Sequence, residues 1–157
     1  MSVFWYAQRE PGGAHQLRGD VQAEVVVVGG GVTGLSCAQR LSKRGISAVV
    51  VEREYCGSGS SGRSSGFITP ASELELRSLI SSHGREEAKR IWDFGLSGVE
   101  AIRANVLEHN IECDYQVQDS LFAANGASGW LSVQNEHRAR LQLGYQSQLY
   151  DGGELNS

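Results

Sequence analysis

Residues 25–41, VVVVGGGVTGLSCAQRL, hold the spacing in this chain that most clearly implies chemistry. Gly29, Gly31 and Gly34 keep a G-x-G-x-x-G register between a run of four valines and an amphipathic segment. A turn needs one or two glycines, so the others imply a body lying close to the backbone. A pyrophosphate suits the spacing. Gly29 permits the tight turn off the strand, Gly31 leaves room for phosphate oxygens, and Gly34 lets the helix pack on the strand. The first amides of that helix, at Val32 and Thr33, and its positive dipole end would then face the anion.

The second valine-rich run ends in an acid, Glu52, 18 residues after Gly34. A carboxylate there can accept hydrogen bonds from both hydroxyls of an adenosine ribose, and it repels a 2′-phosphate. Arg53 follows it and is read as the solvated end of the strand. No Gly-Lys-Ser/Thr follows the glycines, which excludes a P-loop. NAD and FAD share this fingerprint, so the loop GSGSSGRSSG at 57–66 has to distinguish them. It leaves the carboxyl end of the second strand, where ligands bind in parallel sheets. Its Ser60, Ser61, Arg63, Ser64 and Ser65 surround one cation with hydroxyls.

These residues need elements to position them. Residues 24–28 and 46–52 read as buried parallel strands, and 32–44 as a helix with Val32, Leu35, Ala38 and Leu41 on one face. Gly45 stands where a helix stop is wanted. Helices are expected at 73–82, stopping at Gly84, and at 85–108, ended by Asn110. The inner face of the longer one carries Ala88, Ile91, Trp92, Val99, Ile102 and Val106, with Phe94 also assigned to the core. Gly95 and Gly98 inside it imply close packing or a kink. The stretch DYQVQDSLFAANG predicts a hairpin turning near Asp119 and Ser120, and a weaker helix is expected over 132–143. The segment before residue 23 is mostly polar, with Trp5 and Tyr6 as its large apolar anchor.

Composition narrows the class. With 157 residues, 40% of them hydrophobic and 20% charged, the chain can bury one core, which excludes a disordered segment. A net charge of −4 supplies no electrostatic footprint for nucleic acid. No apolar run approaches the ~20 residues of a membrane span, and no basic stretch precedes the first apolar residues as in a signal peptide. Cys37, Cys56 and Cys113 are odd in number and widely spaced, which reads as free thiols in a reducing, cytoplasmic setting. His15, His83, His109 and His137 are scattered without ligand spacing, so no metal site is expected. Glu73, Glu75, Glu86 and Glu87 are read as first-turn acids on their helices rather than a catalytic pair.

VVVVGGGVTGLSCAQRLSKRG, then VVVERE, then GSGSSGRSSGFI, resembles the start of the FAD-dependent amine and amino-acid oxidoreductases of the D-amino-acid oxidase superfamily. The FWYA start and SGRSSG are most similar to its gamma-glutamylputrescine oxidoreductase-like branch. IECDYQVQDSLFAA also resembles the family's passage into a substrate domain, so the resemblance covers most of residues 3–125. It implies an α/β fold: a Rossmann-like FAD-binding βαβ unit, then helices and the start of a hairpin of a second, incomplete domain. The implied divisions are 1–22, an FAD-binding portion at 23–110, and a truncated substrate domain at 111–157.

The resemblance further implies that Gly29, Gly31, Val32, Thr33 and Gly34 cradle the FAD pyrophosphate. Glu52 and Arg53 would lie at the ribose, and Ser60, Ser61, Arg63, Ser64 and Ser65 along the route to the flavin. Some relatives, similar to dimethylglycine dehydrogenase, carry flavin on a histidine of GSxxWHAAG. That position here is Arg63, so FAD is expected to be non-covalent. The implied activity is oxidation of a C–N bond in a small-molecule amine or amino acid. No catalytic residue is named. Family members run to more than twice this length, so the chain reads as an amino-terminal portion that is inactive alone. The other reading is a non-catalytic remnant or interaction protein that keeps the dinucleotide-binding motif.

Overall fold

The computed structural model describes residues 4–8, 15–71, 74–151 and 153–154. They fall into two compact units, 1–67 and 68–157.

In the first unit, strands β1 (Val25–Val28) and β2 (Ala48–Val51) pair in parallel, with Val25 opposite Ala48 and Val28 opposite Val51. Helix α2 (Val32–Ser42) makes the crossover and packs on both strands. A short helix, α1 (Phe4–Gln8), precedes them. Valine suits both strands because its branched side chain fits a pleated, half-buried surface. The side-chain period of two divides β1 between two environments. Val25 and Val27 are half-buried, and Val27 lies beside the backbone of Gly34 in α2. Val26 and Val28 are 58% and 84% exposed. This corrects the expectation of buried strands: β1 is covered on one face only, every residue of β2 is half-buried, and one crossover helix covers no more than one side of two strands.

The second unit is built on α3 (Leu76–Glu108) and α4 (Gly126–Gln142). Leu76, Leu79, Ala88 and Trp92 form its core, with Ile80, Ile91, Leu143 and Tyr145 packed around them. The predicted stop at Gly84 appears as a break inside α3, with φ 77° and ψ 168°. Only glycine adopts that conformation readily. Gly95 serves close packing, since a Cβ there would run into the carbonyl of Pro70, whereas Gly98 faces open space. Phe94 is 81% exposed, which corrects its assignment to the core. It lies two residues beyond Trp92, about 200° around the helix from the buried face.

All three long helices close alike. Ile46 donates to the Leu41 carbonyl, Ile111 to that of Val106 and Tyr145 to that of Arg140, at 3.1, 2.9 and 2.9 Å. Each is the six-to-one bond of a Schellman ending.

The expected hairpin is absent. Residues 111–125 form no strand, and Val117 and Leu121 are each 76% exposed. A two-stranded hairpin with no third strand or helix against its apolar side is marginal in water. Helix α4 begins six residues before its expected start, at Gly126 rather than 132. Gly126, Ser128 and Gly129 are weak helix formers, so local propensity did not mark the added turns.

The first-turn role holds for Glu86 and Glu87, which follow the break at Gly84, but not for Glu75. Glu75 precedes α3 and pairs with Arg77 at 2.7 Å, and Glu73 lies outside the described residues. The start of α3 is instead capped from a distance by Glu136 of α4. Its buried carboxylate accepts the amides of Leu76 and Arg77 at 3.2 and 3.0 Å and the Arg140 Nε at 2.9 Å. A carboxylate suits that helix end because it satisfies amides that have no intrahelical acceptor. Among the described residues, no helix is long and apolar enough to cross a membrane.

Candidate functional site

Between β1 and α2 the glycines have separable duties. Gly29 has φ 106°, a region other residues avoid, and its amide donates to the Val51 carbonyl at 2.8 Å. A Cβ on Gly34 would collide with the Gly29 carbonyl, so that glycine is fixed by packing. A Cβ on Gly30 would lie 2.8 Å from the Cys56 sulfur and 3.3 Å from the Glu52 Cβ. Gly31 is different. Its φ of −80° suits any residue, and a Cβ there would meet only the Ser61 hydroxyl, at 3.1 Å. Backbone conformation does not demand glycine at 31, and the one neighbour a Cβ would press is a side-chain oxygen rather than backbone. What glycine preserves there is open space in front of the first turn of α2.

Glu52 ties the ends of the two strands together. Its Oε2 accepts the Gly30 amide at 2.7 Å and its Oε1 accepts the Glu54 amide at 3.1 Å. The Gly30 hydrogen bond, followed by that from Glu54, holds the carboxyl below the usual glutamate range, so it is anionic at neutral pH. Each oxygen keeps a second lone pair for an outside donor. The Gly30 carbonyl also accepts the Gly57 amide at 2.9 Å, so this one residue joins the turn, the end of β2 and the Gly/Ser loop.

Within that loop, Ser60–Arg63 forms a single 3-10 turn. It brings the Ser61 hydroxyl to the N-terminus of α2, where the oxygen accepts the Val32 amide at 2.9 Å. The loop is gripped from α1, a contact the sequence did not disclose. The Trp5 indole N–H donates to the Ser64 carbonyl at 2.7 Å. The Tyr6 hydroxyl lies 2.9 and 3.2 Å from the carbonyls of Gly57 and Ser58. The only hint in the sequence was a pair of large aromatics in an otherwise polar start.

The structure gathers Gly29, Gly31, Val32, Thr33, Gly34, Glu52 and Ser61 around one helix end. Arg53 is not brought in, since its side chain is 90% exposed and pairs with Glu54 at 3.4 Å. Ser60, Arg63 and Ser65 lie exposed along the loop. Ser64 holds the loop itself, its hydroxyl accepting the Gly66 amide at 3.3 Å. Among the described residues no three His, Cys, Asp or Glu side chains gather as a metal site.

The second unit has a broad open cavity of about 1360 Å³ lined by Trp92, Phe122, His137, Arg140 and Tyr150 among others. Two of its charged groups, Glu136 and Arg140, are engaged with each other. The Arg140 guanidinium stacks 5.1 Å from the Trp92 ring and 5.4 Å from that of Phe122 while bonding to Glu136. His137 Nδ1 is 3.0 Å from the Ser147 hydroxyl.

Over 109 residues the chain is 33% identical to gamma-glutamylputrescine oxidoreductase of Escherichia coli, covering 69% of this chain and 26% of that protein. Over 134 residues it is 30% identical to the protein named probable oxidoreductase OrdL of Haemophilus influenzae, covering 85% of this chain and 31% of that one. The chain thus spans less than a third of the length of these relatives. No solved structure matches it significantly. The family described as FAD dependent oxidoreductase (DAO) matches residues 24–157, from the glutamate before β1 through the second unit, and the chain belongs to that family.

Proposed function

We propose that this chain is the FAD-binding portion of a flavin-dependent oxidoreductase that oxidises a C–N bond of a small-molecule amine or amino acid. The observation carrying this reading is Gly31. Within the G-x-G-x-x-G register it is the glycine whose backbone suits any residue and whose added Cβ would press on a single side-chain atom, the Ser61 hydroxyl oxygen, at the positive end of α2.

The residues present fit the cofactor. In this reading β1, α2 and β2 are a Rossmann-like dinucleotide-binding unit. The first amides of α2, at Val32 and Thr33, face a pyrophosphate across the gap left by Gly31, with Gly29 and Gly34 making the approach possible. Ser61 already accepts the Val32 amide and keeps its own proton to donate to a phosphate oxygen. Glu52 receives the adenosine ribose on its remaining lone pairs, and its low pKa keeps it an acceptor. Ser60, Arg63, Ser64 and Ser65 continue along the cofactor from Ser61, and Arg53 adds positive charge at the edge. When bound, FAD supplies the acceptor for a hydride from the carbon bearing the amine, and water hydrolyses the resulting imine.

Turnover needs the donor carbon held against the flavin ring by positioning residues. None is identified in this chain, which spans less than a third of its relatives. FAD titration followed by flavin fluorescence, with a peroxide assay on amines and amino acids, tests both halves of the reading. The expected result is saturable FAD binding without peroxide. Absence of FAD binding overturns the assignment, and steady peroxide production overturns the division of labour.

A further inference from the structure

We infer that α1 is a clasp: Trp5 and Tyr6 hold the Gly/Ser loop at 57–66 shut and thereby set the Ser61 hydroxyl at the N-terminus of α2. The clasp stands on the geometry alone. Its consequence for cofactor affinity rests on the proposed FAD site.

The loop cannot order itself from its composition. GSGSSGRSSG has the makeup of a flexible linker, with four glycines and five serines in ten residues. Yet its central turn places one serine oxygen 2.9 Å from a particular amide. The contacts from α1 fall on both sides of that turn. Tyr6 reaches the carbonyls of Gly57 and Ser58 before it, and Trp5 reaches the carbonyl of Ser64 after it. Holding a segment at both ends fixes what lies between them.

The glycines of the loop match the clasp in position. A Cβ on Gly62 would lie 2.5 Å from the Tyr6 hydroxyl, and one on Gly66 would lie 3.2 Å from the Trp5 ring. The aromatics of α1 thus sit directly on the loop backbone at both glycines, although Gly62 is also closed off by the Gly57 carbonyl and Gly66 is called for by its φ of 84°. The rings are themselves supported, Tyr6 edge-on to Tyr55 at 5.9 Å and Trp5 edge-on to Phe4 at 5.0 Å. A five-residue helix has no stability of its own in water. It therefore persists through these side-chain contacts, and weakening them releases helix and loop together. Trp5 and Tyr6 are positioning residues that act through Ser61.

The test uses the full 157-residue chain with Trp5→Phe and Tyr6→Phe, which keep a ring and remove the hydrogen bonds. Trypsin cleavage after Arg63, inside the loop, reads the clasp without any flavin. Cleavage after Arg53, exposed and outside the loop, is the control for folding. Each variant should speed Arg63 cleavage by about five- to tenfold, the effect of one lost hydrogen bond, with Arg53 cleavage unchanged. FAD affinity should fall by a similar factor, and that fall should vanish in a Ser61→Ala background, since the two changes then act on one interaction. Unchanged Arg63 cleavage in both variants, or an affinity loss that persists undiminished without the Ser61 hydroxyl, overturns the clasp. If the unsubstituted chain binds no FAD, the proposed function fails, and Arg63 cleavage alone decides the clasp.

Discussion

The amide of Gly30 and the carboxylate of Glu52 meet at 2.7 Å, which joins the turn after the first strand to the end of the second. Two elements separated in sequence by the whole of α2 are thereby locked at the point where the proposed cofactor enters. The carboxylate is a structural clamp and a ligand acceptor at once.

That dual role gives the site a definite acid dependence. The Glu52 carboxyl is held below its ordinary value of 4.5 by the Gly30 amide first and the Glu54 amide second. A depressed acid contributes its stabilisation fully above the ordinary value and loses it as pH falls through the folded one. FAD affinity should therefore be flat near neutrality and drop once pH passes below 4.5. Glu52→Ala should weaken FAD on the order of 10- to 100-fold at neutral pH, the worth of hydrogen bonds to a charged acceptor. An unchanged dissociation constant would remove Glu52 from the site.

Gly31 and Gly34 should separate binding from folding. Gly31→Ala should cost no more than about 1 kcal/mol of stability, because its backbone suits alanine and the only atom pressed is the Ser61 hydroxyl oxygen, whose bond to the Val32 amide is at stake. The same change should cost at least about tenfold in FAD affinity, since a methyl group enters the space of the phosphate. Gly34→Ala forces α2 away from the Gly29 carbonyl and should destabilise the chain by roughly 1–3 kcal/mol. Urea denaturation alongside FAD titration distinguishes the two. If both variants lose stability equally, Gly31 is an ordinary turn residue.

In α3, two nearby glycines should respond with opposite signs. Gly98 faces nothing within 4 Å, so alanine there should stabilise by up to about 1 kcal/mol through helix propensity. Gly95→Ala drives a methyl group into the Pro70 backbone and should cost roughly 1–3 kcal/mol. Thermal melts of the two single variants check this, and a shared sign would show that Pro70 yields.

Flavin bound by this chain should come free on acid precipitation, leaving its colour in the supernatant. The position that carries a flavin-linked histidine in some similar proteins is Arg63, an exposed guanidinium that is not nucleophilic. Colour retained in the pellet would disprove non-covalent binding and direct peptide mapping to Cys56, whose sulfur lies beside Gly30.

What the sequence disclosed was local. Valine runs, helix-spaced apolar residues and glycine stops are set by neighbours a few positions away, and the strands, α2, the break at Gly84 and the ending at Asn110 followed from them. What it hid was contact across long separations. Trp5 meets Ser64 and Glu136 meets Leu76, partners 59 and 60 residues apart, and no local pattern marks either pair. The hairpin expectation failed for a related reason. Alternation in DYQVQDSLFAANG states a preference for a pleated surface but supplies no partner for it. At the site, the glycine register marked residues that the fold brings to one helix end, but the separate duties of Gly30, Gly31 and Gly34 became visible only with their neighbours in place.

The break at Gly84 has a consequence for how α3 exchanges with solvent. With φ and ψ at 77° and 168°, the carbonyls before the break no longer point along the axis of the helix after it. The amides just beyond Gly84 therefore begin a new helix and lack the acceptors four residues back that protect an interior turn. In heavy water, a 33-residue helix should show two protected blocks with a fast-exchanging notch between them. Both blocks reach the core, the first through Leu76 and Leu79 and the second through Ala88 and Trp92, and the longer second block should hold its protons longest. Measured by the lifetime of its protons, α3 should read as two helices joined through one core.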